Sequence, residues 1–84
     1  MSRKAPTRVA VREAFARTVR ILRQRAGIVQ EQLALAAAID RGYLGGLERG
    51  RHSPTLETVC KIAFTLDLTV AEFAAEFDRQ LRHR

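Results

Sequence analysis

Between Val9 and Arg25, the positions Val11, Ala14, Phe15, Thr18, Val19 and Leu22 recur at the i, i+3, i+4, i+7 spacing of a helix with one buried stripe. Gly27 stops that helix. A second run, barely two turns from Gln30 to Ala37, turns Leu33, Ala34 and Ala37 inward. After the short connection Ala38-Ile39, the carboxylate of Asp40 can accept from the free N–H groups of a third helix. That helix runs from Arg41 to about Glu48 with Leu44 and Leu47 inward, and Gly50 closes it. Arg49 to Pro54 read as a loop. Thr55 caps a fourth helix with the stripe Leu56, Val59, Ile62, Ala63 and Leu66. Thr69 and Glu72 have capping-box spacing and open a fifth, which carries Phe73, Ala74, Phe77 and Leu81 and ends in Arg82-His83-Arg84. No stretch shows the period-two alternation of a strand. The expected fold class is all-α, a compact five-helix domain. Residues 1–8 are expected to be a basic disordered tail, and residues 9–84 a single domain with an extended C-terminal helix.

The chain has 84 residues, enough for one small core and too few to enclose a large catalytic cavity or to add a ligand-sensing domain. The single Cys60 excludes an internal disulfide and a multi-cysteine zinc site, and His52 and His83 stand alone without the further ligands a metal needs. With no P-loop or nucleophile constellation either, the chain is not expected to be an enzyme, and no metal, cofactor or small-molecule ligand is expected. No apolar run approaches the roughly 20 residues that span a bilayer, so a cytoplasmic protein without a membrane partner is expected.

Charge sharpens this picture. The formal net charge is +6, and the basic side is almost all arginine, the only lysines being Lys4 and Lys61. Residues 1–25 carry +7 and the rest sum to −1. Arginine excess favours phosphate or carboxylate partners. Arg17 and Arg20, opposite the apolar stripe of the first helix, read as a solvated face, whereas Arg23 lies at the stripe's edge.

Two short helices joined by a three- or four-residue turn, the second with a capped and exposed N-terminus, can place one helix in a DNA major groove. At this point the chain resembles the Cro/C1-type (XRE-type) helix-turn-helix family from roughly Phe15 to Phe77. The resemblance rests on Leu22-Arg23-Gln24-Arg25-Ala26-Gly27, Gln30-Glu31-Gln32-Leu33-Ala34, Asp40-Arg41-Gly42-Tyr43-Leu44, Leu47-Glu48-Arg49-Gly50 and Ser53-Pro54-Thr55-Leu56, taken together. It implies a lambda-repressor-like domain with the second and third helices as the helix-turn-helix. It further implies an autoregulatory homodimer that regulates transcription from a palindromic double-stranded DNA operator.

By position, the resemblance makes Arg41, Gly42, Tyr43 and Gly46 the base-reading group. Gln30, Arg49, Arg51, His52 and Ser53 become phosphate contacts, and Arg23 and Glu48 a structural ion pair. Three features depart from the pattern. Val29 cannot cap the second helix, Ala38 stands at a turn position usually given to glycine, and Gly42, Gly45 and Gly46 crowd the recognition helix. A dimer surface is expected at Leu66, Leu68, Val70, Phe73, Phe77 and Leu81. The competing arrangement folds Phe77 and Leu81 back on the first helix of the same chain. Phe64 and Cys60 make a second apolar face on the fourth helix, which suggests a protein partner at Phe64 and the fifth helix. The alternative function is accordingly a protein-interaction module, such as an antitoxin or anti-repressor, using the fourth and fifth helices.

Overall fold

The computed structural model describes residues 4–83, which form five helices: α1 (Arg8–Ala26), α2 (Gln30–Ala37), α3 (Arg41–Glu48), α4 (Leu56–Thr65) and α5 (Val70–Arg82). Each boundary has a local cause. The Thr7 hydroxyl accepts from the Ala10 N–H at 3.0 Å and starts α1, so of the residues expected in the tail, Thr7 caps the helix and Arg8 is its first residue. Residues 1–3 of that expected tail lie outside the described residues. Asp40 accepts from the Tyr43 N–H at 3.0 Å, and Thr55 from the Thr58 N–H at 3.1 Å. Thr69 and Glu72 close a full capping box, with bonds of 3.0 and 2.8 Å. At α2 only half a box exists. Val29 has no acceptor to offer, but the Gln32 side chain reaches back and accepts from the Val29 N–H at 2.9 Å.

One core draws on all five helices. Phe15, Val19 and Leu22 of α1 meet Leu33 and Ala37 of α2, Leu44 and Leu47 of α3, Ile62 and Ala63 of α4 with Leu66 just after it, and Phe73 of α5. α1 packs on α3 and α5, and α2 on α3 and α4. The Phe15 ring lies 5.7 Å from Phe73 and 6.5 Å from Phe77, the latter edge-on. Burying one such ring stabilises a fold by about 1.5–3 kcal/mol, with a further ~0.5–1.5 kcal/mol for each well-placed aromatic pair.

These contacts correct the expected dimer surface. Phe73 is 1% exposed and Leu66 is buried beside it, so both serve the chain's own core and neither is open to a second copy. Phe77 is half-buried against that core, as the competing fold-back arrangement requires.

Polar contacts fasten α5 along α1 as well. The Arg17 guanidinium donates to both the side chain and the backbone carbonyl of Gln80, at 3.2 and 2.9 Å. Arg25 reaches the buried carboxylate of Glu76 at 3.0 Å, which also accepts from Arg79 and Gln80. Arg20 donates to the backbone carbonyl of Glu48. Arg17 and Arg20 therefore do not form the solvated face that their helical positions suggest. Their long stems reach around the helix to groups that only the tertiary fold supplies.

Candidate nucleic-acid interface

α3 presents its first turn outward. Asp40 fixes the start of the helix, Leu44 and Leu47 anchor it in the core, and Arg41 and Gly42 are exposed while Tyr43 is half-buried. The connection from α2 passes through Ala38 in the left-handed region, at φ 56° and ψ 48°. The left-handed conformation that the pattern assigns to this position is thus adopted by an alanine. At the other end, Gly50 at φ 74° reverses the chain, and the Arg51 N–H returns to the Gly46 carbonyl at 2.9 Å. The loop that follows is held from α1, whose Arg12 guanidinium donates to the Ser53 hydroxyl at 3.0 Å.

The two inner glycines of α3 are covered by other residues. Gly45 is buried beneath Gln30 and Arg49: a Cβ built there would stand 3.0 Å from an Arg49 nitrogen and 3.5 Å from the Gln30 amide oxygen. Gly46 is buried beneath His52, and a Cβ there would collide with the imidazole, standing 2.7 Å from its Nε2. The His52 ring in turn lies 5.6 Å from Tyr43. Gly46 is thus no base-reading position, since it has no side chain and its surface is roofed over. The structure brings Gln30, Tyr43, Arg49 and His52 together over α3. Arg41 and Arg51 are exposed, and their side chains make no hydrogen bond or ion pair among the described residues.

The surface is braced from behind. Arg23 grips Glu48 in a two-point pair at 2.9 and 3.0 Å and donates a third bond to the Ile28 carbonyl at 3.0 Å. Its members are 15% and 4% exposed, so removing either would strand the other; losses of about 3–5 kcal/mol are typical of such sites. Arg17, Arg20, Arg23 and Arg25 are all engaged within the fold, whereas Arg12, through its bond to Ser53, is the α1 arginine tied to the loop of this surface. Sequence reasoning passed over Arg12 because its nearness to the loop, 41 positions away, has no local signature.

Residues 14–75 match the family model described as a helix-turn-helix domain. The chain belongs to this family. Among solved structures, this helix-turn-helix chain superposes on the clp gene regulator ClgR from Corynebacterium glutamicum with a TM-score of 0.79 and 31% identity, covering 84% of this chain and 76% of that one. The restriction-modification controller protein C.AhdI from Aeromonas hydrophila gives a TM-score of 0.70 and 37% identity, over 74% and 94% of the two chains. The HTH-type transcriptional regulator DdrOP3 of Deinococcus deserti is 46% identical over 52 residues, 62% of this chain but only 40% of that regulator's length. These relatives are regulators and controller proteins, not enzymes. No helix among the described residues is long and apolar enough to cross a membrane.

Proposed function

We propose that this helix-turn-helix chain regulates transcription by binding, as a homodimer, a palindromic site on double-stranded DNA. The observation that carries the reading is the outward first turn of α3, with Arg41 at its front, Arg49 and Arg51 behind it, and the whole helix fixed by the Arg23–Glu48 pair. A guanidinium can bond guanine O6 and N7 together, which discriminates by about 1–3 kcal/mol, and this is the role proposed for Arg41. Gln30, Arg49, Arg51 and Ser53 supply phosphate contacts, which give affinity and register without sequence information. Likeness to a controller protein and a gene regulator supports the same class.

An eight-residue recognition helix reads only a few base pairs, too few to select a site in a genome. A second copy doubles the footprint, with half-sites about 34 Å apart. Of the apolar groups expected at its interface, the half-buried Leu68, Val70 and Leu81 remain, and Phe64, 72% exposed, stands beside the first two. Selecting bound duplexes from a random DNA pool tests the proposal. A palindromic consensus is the expected result; no enrichment would overturn it and favour a protein-interaction module using α4 and α5.

A further inference from the structure

The imidazole over Gly46 has a position that side-chain type and spacing do not disclose. His52 comes from the loop after α3, yet its ring occupies the volume that a side chain at position 46 would fill. Three features hold it there: the Arg51 N–H bond to the Gly46 carbonyl just before it, the Arg12 bond to Ser53 just after it, and the Tyr43 ring at 5.6 Å. The Cδ2–Nε2 edge lies against Gly46, so the opposite edge, which carries Nδ1, is turned away from that glycine.

We infer that His52 is a specificity-determining residue, a loop imidazole that stands in for the missing side chain at position 46 and reads one base edge beside the pair read by Arg41. An imidazole N–H can donate to guanine N7 or O6 in the major groove, so a G·C pair is the expected target. Gly46 then acts as a positioning residue whose lack of a side chain admits the ring. This assignment replaces the phosphate contact expected of His52 and rests on the proposal that the chain reads duplex DNA.

The test compares the full chain with His52→Ala, Gly46→Ala and the double variant, each in competition against selected sites altered one base pair at a time. His52 is exposed, and alanine favours a helix more than glycine does, so all three variants are expected to fold, which thermal melting by circular dichroism verifies. In His52→Ala, preference at one base pair of each half-site should fall from roughly tenfold or more to nearly none, with other positions unchanged. Gly46→Ala should reproduce that loss by displacing the ring, and the double variant should be no worse than either. A uniform loss over all sequences in His52→Ala would make the imidazole a phosphate ligand and overturn the inference. An additive double variant would do the same, because Gly46 would then act independently of His52. Wild-type protein that binds duplexes without preference would show up separately, and would overturn the parent proposal and this one together.

Discussion

Ala38 holds φ 56°, a conformation in which Cβ crowds the following carbonyl. Asp67 does the same at φ 60°, but aspartate tolerates the left-handed region better than alanine. Replacing Ala38 by glycine should relieve a strain of about 1–2 kcal/mol, partly offset by the greater freedom of glycine in the unfolded chain. A net gain of roughly 0.5–1 kcal/mol is expected, a rise of about 2–8 °C in the melting temperature of a domain this size. Unchanged or lowered melting of Ala38→Gly would show that the turn carries no such strain. Arg41 and Arg51 are both exposed and differ in where they stand, at the head of α3 and in the loop beyond it. Arg41→Ala should therefore relax specificity at one base pair of each half-site. Arg51→Ala should weaken binding to every duplex alike and shallow the salt slope by about one. Competition between single-base variants at several salt concentrations separates the two, and a uniform loss in both would place Arg41 on a phosphate.

Between elements, the contact of α1 with α5 combines an aromatic core with a polar edge, and Glu76 is the hub of that edge. The hydrogen bond from Arg79, then that from Gln80, hold its carboxyl at about 2 against an ordinary 4.5, with burial opposing them and Arg25 assisting. A carboxyl depressed in the folded state contributes stability that is fully present above its unfolded value and is lost as the folded value is approached. This contribution is therefore complete above pH 4.5 and disappears as the pH falls through about 2. Glu76→Gln should lower stability at neutral pH by about 1–3 kcal/mol, nearer the low end because Arg25 and Arg79 are mostly in water. It should also flatten the acid limb of a urea-denaturation series between pH 4.5 and 2; an unaltered limb would place the acid sensitivity in other carboxylates. None of this edge was legible beforehand, since Glu76 reads in sequence as one more charge on a polar helix face. The helix boundaries were legible, because Thr7 excepted, the residues that set them (Gly27, Asp40, Gly50, Thr55, Thr69) act within three or four positions of themselves. The Arg23–Glu48 pair was legible only through family resemblance. The roofing of Gly46 by His52 was not, because it depends on how Gly50 turns the chain and on Arg12 holding Ser53.

For the whole molecule, the proposed assembly would draw on the same apolar residues as folding does, and the structure shows which of them the fold consumes. Phe15, Phe73 and Phe77 form one aromatic cluster inside the chain, while Phe64 stands outside it at 72% exposure, next to Leu68 and Val70 near the α4–α5 turn. A charge at position 77 should thus damage the monomer, whereas a charge at position 64 should leave it folded and affect only what docks there. Phe77→Glu is expected to cost about 2 kcal/mol or more, since it sets a carboxylate against the Phe15 ring. Phe64→Glu is expected to keep the melting temperature of a wild-type monomer, to sediment as a single chain, and to lose roughly 100-fold or more in affinity for a selected palindromic site as one half-site's contacts are forfeited. Binding to an isolated half-site should be unaffected, because α3 and its loop lie elsewhere on the molecule. If Phe64→Glu still sediments as a dimer with undiminished affinity, the interface lies away from the α4–α5 turn, and the half-buried Leu81 at the far end of α5 becomes the next position to charge.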